Sequence, residues 1–86
     1  GLGDIDTEFI SVFPNPAHNN ISILFSNLEP GTLIEIIDIS GRIIYTDKCH
    51  NSINKINVAH ILPGIYYLNI RNGSTKSIYL EKIIIL

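Results

Sequence analysis

Three histidines, His18, His50 and His60, and one cysteine, Cys49, are the side chains here that could bind a soft metal or pair as nucleophile and base. A structural zinc site draws its ligands from short pairs, about two to four residues apart. These four residues fall in three separate segments, and none forms such a pair. Cys49 and His50 are adjacent, but neighbours on an extended chain point to opposite sides, which argues against a thiol–imidazole dyad. The serines at 11, 22, 26, 40, 52, 74 and 77 include no Gly-x-Ser-x-Gly elbow that would present a nucleophile. Glu29 and Asp47 are isolated and tryptophan is absent, so the loops lack both a calcium-type carboxylate cluster and a flat aromatic platform for sugar. The expectation is a non-enzymatic chain with no metal, cofactor or small-molecule substrate. Its histidines and cysteine are expected to be solvated or locally hydrogen-bonded.

Three further side chains invite a role. Tyr66 alternates with Leu68 and Ile70, which predicts core packing with the hydroxyl tied to a loop carbonyl. Asp38 precedes Ile39-Ser40-Gly41 and reads as a carboxylate that shapes a turn. Lys82 interrupts an apolar alternation, so its ammonium must snorkel to an edge, meet a carboxylate, or be read by a partner.

The elements that must position these residues are strands. Eighty-six residues make one domain with a thin core. At 45% apolar the chain is too hydrophobic for a disordered tail. A net charge of −2 without a Lys/Arg cluster argues against nucleic acid as a partner. No apolar run reaches the roughly 18 residues of a membrane helix. One cysteine allows no internal disulfide. The absence of methionine suggests a chain that begins inside a longer one. Residues 1–8, with Asp4, Asp6 and Glu8, read as a solvated polar linker.

Phe9 to Phe13 predicts a short edge strand stopped by Pro14-Asn15-Pro16, whose prolines remove two backbone donors. Strands follow through Ile21, Ile23 and Phe25, through Leu33 to Asp38 with Glu35 opposite Ile34 and Ile36, through Arg42 to Thr46, and more weakly from Ile53. Pro30-Gly31 and Ser40-Gly41 supply turns. Leu62 to Leu86 reads as a hairpin. A loop at Arg71-Asn72-Gly73, with Gly73 left-handed, would pair Tyr66 with Ile78 and Leu68 with Lys76. Seven short strands without helical periodicity predict an immunoglobulin-like antiparallel β-sandwich. Its expected core is Ile23, Phe25, Ile34, Ile36, Tyr66, Leu68, Ile70, Ile78 and Leu80. On that alternation Ile83 and Ile85 face outward.

Three segments stand out in order along the chain: VFPNPAHNNISI, IEIIDISGRIIY, and LPGIYYLNI followed by KSIYLEKIIIL. Together they resemble the type A C-terminal sorting domain of the type IX secretion system of Bacteroidota (Por secretion system C-terminal domain). The matching positions are Pro14, Asn15, Pro16, Asp38, Gly41, Gly64, Tyr66 and Lys82. The ending departs from the pattern: family members often carry a polar or basic residue after the final apolar run, where this chain has Leu86. The resemblance implies a sorting domain over residues 9–86, with residues 1–8 linking it to upstream cargo. It implies a secretion signal, exported through the periplasm and outer membrane to the cell surface or medium. The partners it implies are an outer-membrane translocon and a sortase-like peptidase that removes the domain.

Two expectations follow from the resemblance and the strand pattern together. Processing should fall in or just before residues 1–8, the one long polar stretch ahead of the first strand. The outward side of the last strand, with Ile83 and Ile85, should be the surface the translocation machinery reads. The alternative reading is a generic immunoglobulin-like or fibronectin-like module that binds carbohydrate or protein beside a secreted enzyme.

Overall fold

A computed structural model describes residues 9–73 and 76–86. The linker reading and the processing site at residues 1–8 lie outside the described residues. Every predicted strand forms. They are β1 (Ile10–Phe13), β2 (Asn20–Phe25), β3 (Thr32–Ile37), β4 (Ile43–Lys48), β5 (Ile53–Asn57), β6 (Gly64–Asn72) and β7 (Lys76–Ile85). They build two sheets, ordered β1-β2-β5 and β4-β3-β6-β7, with antiparallel pairing throughout. An immunoglobulin constant domain keeps its fourth strand beside the fifth. Here β4 has crossed to the larger sheet and pairs with β3.

The period-two pattern decides what the sheets bury. Ile21, Ile23 and Phe25 of β2 face Ile34 and Ile36 of β3 and Leu68 and Ile70 of β6 across one core. Ile56 and Val58 close it from the β5 side. Tyr66 is half-buried against this cluster rather than inside it.

The terminal hairpin departs from expectation in both register and face. Its tip lies two residues later, with Asn72 opposite Lys76, and Tyr66 pairs with Ile83 rather than Ile78. Gly73 does take the left-handed conformation, at φ +74°. A bulge then intervenes: Arg71 pairs with Ser77 and Ile70 with Tyr79, which leaves Ile78 as the extra residue. One inserted residue turns every later side chain over. The expected core positions Ile78 and Leu80 are therefore 40% and 62% exposed, while Ile83 and Ile85 are 0% and 2% exposed.

Lys82 supplies the physical reason. Without the bulge, the register set at the tip would carry Ile78, Leu80, Lys82 and Ile84 inward and bury an ammonium among them. An unpaired charge in that core costs far more than leaving one leucine wet. The bulge brings the Lys82 side chain out to solvent and puts Ile83 and Ile85 in its place. The outward reading of Ile83 and Ile85 is corrected accordingly. Cys49 is corrected too: it is a buried core residue and not a solvated one.

Candidate functional site

The residues singled out in the sequence gather at one end of the larger sheet. Two prolines flank Asn15, both joined through cis peptide bonds, and they carry the β1–β2 connection across to the free edge of β7. Proline has no N–H, so the backbone alone cannot complete a ladder there. The Asn15 carboxamide does so instead, having one donor group and one acceptor like a peptide unit. Its Nδ2 donates to Lys82 O at 3.0 Å, and its Oδ1 accepts from Ile84 N at 3.0 Å.

Two residues on, the main chain takes over. Ala17 N donates to Ile84 O, and Leu86 N donates to Ala17 O, both at 2.8 Å. The result is a parallel bridge between Ala17 and Ile85, with Ala17 fully buried. The outer edge of β7 is thus sealed from Lys82 to Leu86, first by a side chain and then by backbone.

Glu81 aims this latch. Asn15 Nδ2 also donates to Glu81 Oε2 at 3.2 Å, and the Tyr79 hydroxyl donates to Glu81 Oε1. Burial, followed by the Glu81 hydrogen bond and charge, pushes the Tyr79 hydroxyl up to about 12, so at neutral pH it is a committed donor.

Beside the latch stand the other motif residues. Gly64 pairs with Ile85, and Tyr66 with Ile83. The Tyr66 hydroxyl donates to Leu62 O at 2.6 Å, the expected tie to a loop carbonyl. Asp38 follows β3 at the same end. Its Oδ1 accepts from Ser40 Oγ at 2.7 Å, Ser40 N at 2.9 Å and Arg42 N at 3.0 Å. The Ser40 hydroxyl first, then the Arg42 N–H, hold its carboxyl below the usual aspartate value. Gly41 makes the turn possible at φ +92°. Pro14, Asn15, Pro16, Gly64, Tyr66, Lys82, Ile83 and Ile85 therefore converge on one corner. Asp38 and Gly41 form the neighbouring turn, and Asp38 shares a shallow depression with Gly64 and Tyr66.

Sequence reasoning missed Ala17 and Glu81. Ala17 is the apolar head of a polar run, His18-Asn19-Asn20, but nothing local signals a bridge to a strand more than sixty residues away. Histidines 18, 50 and 60 remain apart and exposed. Among the described residues no group of three His, Cys, Asp or Glu side chains converges. Burial, with the Asp47 charge second, pushes the Cys49 thiol up to about 11, which keeps it protonated.

Residues 11–86 match the family model described as the secretion system C-terminal sorting domain. The chain belongs to this family. The sorting domain is 31% identical over 72 residues to beta-agarase A of Zobellia galactanivorans, which covers 84% of this chain and 13% of that protein. It also superposes with a TM-score of 0.70 and 24% identity on a solved structure of PorZ from Porphyromonas gingivalis, an essential bacterial surface component of the type-IX secretion system. That match covers 90% of the sorting domain and 11% of PorZ, and it shows a shared fold. The sorting domain thus spans a small fraction of each longer protein it matches.

Proposed function

We propose that this domain is the type IX export signal of a longer polypeptide, recognised as a folded unit by an outer-membrane translocon and cut off afterwards by a sortase-like peptidase. The observation that carries the reading is the family match across residues 11–86. The geometry supports it: motif residues far apart in sequence meet at one corner, where Asn15 and Ala17 close the edge of β7. Within this reading, Pro14, Asn15, Pro16, Gly64 and Tyr66 set the shape of that corner, and Lys82 is the charge it displays. Ile83 and Ile85 act from the core by fixing the strand. Export delivers the cargo to the cell surface or medium, and the cut falls ahead of β1, in or just before residues 1–8.

The test is a reporter with residues 1–86 at its C-terminus, expressed in a type IX-competent bacterium and in a strain lacking the translocon. Export in the first alone is expected, and mass spectrometry should place the mature terminus upstream of Phe9. Equal export in both strains would refute the signal reading. A mature terminus inside residues 21–86 would refute the cleavage reading.

A further inference from the structure

The two sheets present different outer faces. On the smaller sheet, Phe13, Leu24 and Ile53 are interspersed with Ser11, Ser22 and Lys55, so apolar and polar positions alternate. On the larger sheet the apolar positions are contiguous. Cross-strand pairing aligns Ile43, Ile37 and Tyr67 in one row, and Ile65 with Ile84 in the row beside it. Ile43, Ile65 and Tyr67 are exposed, and no polar residue separates the five. Such an apolar surface on a small domain asks for a cover.

Charge says which cover. Lys82 ends the first row beside Tyr67, and Lys48 lies on the β4 edge of the same face. The guanidinium of Arg71 on this face is matched by Glu35 at 3.5 Å, so among the described residues the two ammonium groups are a surplus on this face, on a chain whose net charge is −2. We propose that this face, centred on Ile37 and Tyr67, docks against an apolar protein surface bordered by carboxylates. The proposal rests on the export reading above for the setting in which the partner is met.

A second copy of the chain fits poorly, because a two-fold contact presents the same cationic patch from both sides. A lipid surface fits poorly as well. The next row holds Glu35 and Asn69, both buried, with Asn69 Nδ2 donating to Glu35 Oε1 at 3.2 Å. Hydrocarbon laid over the Glu35–Arg71 pair and the adjoining ammonium groups would bring them no hydrogen-bond partner, whereas a protein surface can.

The test uses the reporter fused to all 86 residues in export-competent cells. Photo-reactive benzoylphenylalanine is placed at Tyr67 and, for comparison, at Leu24 on the opposite sheet. A carbodiimide, which joins an amine directly to a carboxylate, is applied in parallel. The expected result is a protein adduct from position 67 and none from 24, with a carbodiimide cross-link mapped to Lys82 or Lys48. Lys48→Glu with Lys82→Glu should lower export about tenfold or more while the melting temperature stays put, and Lys48→Arg with Lys82→Arg should retain export. An adduct of twice the fusion's mass, a lipid adduct, equal labelling at 67 and 24, or unchanged export by the charge reversal would each overturn the proposal. Retention of the unaltered fusion inside the cell would instead refute the export reading, and this proposal with it.

Discussion

Replacing Asn15 with alanine removes the one side chain among the described residues that stands in for a strand along β7. Three hydrogen bonds are lost: Nδ2 to Lys82 O, Nδ2 to Glu81 Oε2, and Ile84 N to Oδ1. A protein hydrogen bond contributes about 0.5–1.5 kcal/mol net, and an exposed carboxamide lies toward the low end because water replaces part of what is lost. The expected destabilisation is about 1.5–3 kcal/mol. For a domain of this size, with about 4–8 °C per kcal/mol, that lowers the melting temperature by roughly 6–24 °C. Calorimetry on the 86-residue chain measures the total, and amide hydrogen exchange locates it. Exchange at Ile84 should accelerate most, with Leu86 next because Ala17 loses its neighbour in the latch. Asn15→Asp should be worse than alanine, since it abolishes the donor and sets a second carboxylate beside Glu81. Unchanged Ile84 protection together with a melting temperature within about 1 °C would show that the latch is not formed in solution.

The face inversion in β7 predicts that Ile83→Ala costs about 2–5 kcal/mol in denaturant unfolding while Leu80→Ala costs under about 1 kcal/mol; equal costs would contradict the bulge at Ile78. Cys49, buried and with its thiol raised to about 11, should resist iodoacetamide at pH 8 in the native state and react as soon as urea unfolds the chain. Rapid native labelling would place it at the surface. Asp38, whose folded pKa is lowered from 3.8, adds stability that is complete above that value and is lost as pH falls through the lower folded one. The stability gap between wild type and Asp38→Ala should therefore narrow only in acid below 3.8, and a gap that closed between pH 5 and 7 would refute the assignment.

Strands were legible where alternation is clean. Ile21, Ile23 and Phe25, and Ile34 and Ile36, could face only one way, and they do. The role of Tyr66 was legible because a tyrosine among aliphatic neighbours must place its hydroxyl somewhere, and Leu62 O is four residues back. The hairpin was not legible for a particular reason. In KSIYLEKIIIL both alternating sets carry apolar residues interrupted by charge, Glu81 in one and Lys76 and Lys82 in the other, so local pattern cannot choose between them. The choice is tertiary. Asn15 waits on the inner side with a donor for a carboxylate, and Tyr79 turns inward together with Glu81 to supply a second. The latch was hidden for a similar reason, since a loop asparagine acting as a strand leaves no periodic trace.

The bond from Ile84 N to Asn15 Oδ1 spans 69 residues, and this separation governs when the fold can close. During vectorial synthesis the latch segment emerges early and stays without its partner until the last strand has been made. The core waits equally, for Ile83 and Ile85 come from that same strand. A nascent chain stopped anywhere before Lys82 lacks both the edge seal and the floor of the sandwich, whatever local hairpins it has formed. Contacts this distant pay their loop-closure entropy late and make folding slow. The corner around Asn15 is therefore also a record of synthesis: it exists only on a polypeptide that has been translated through β7.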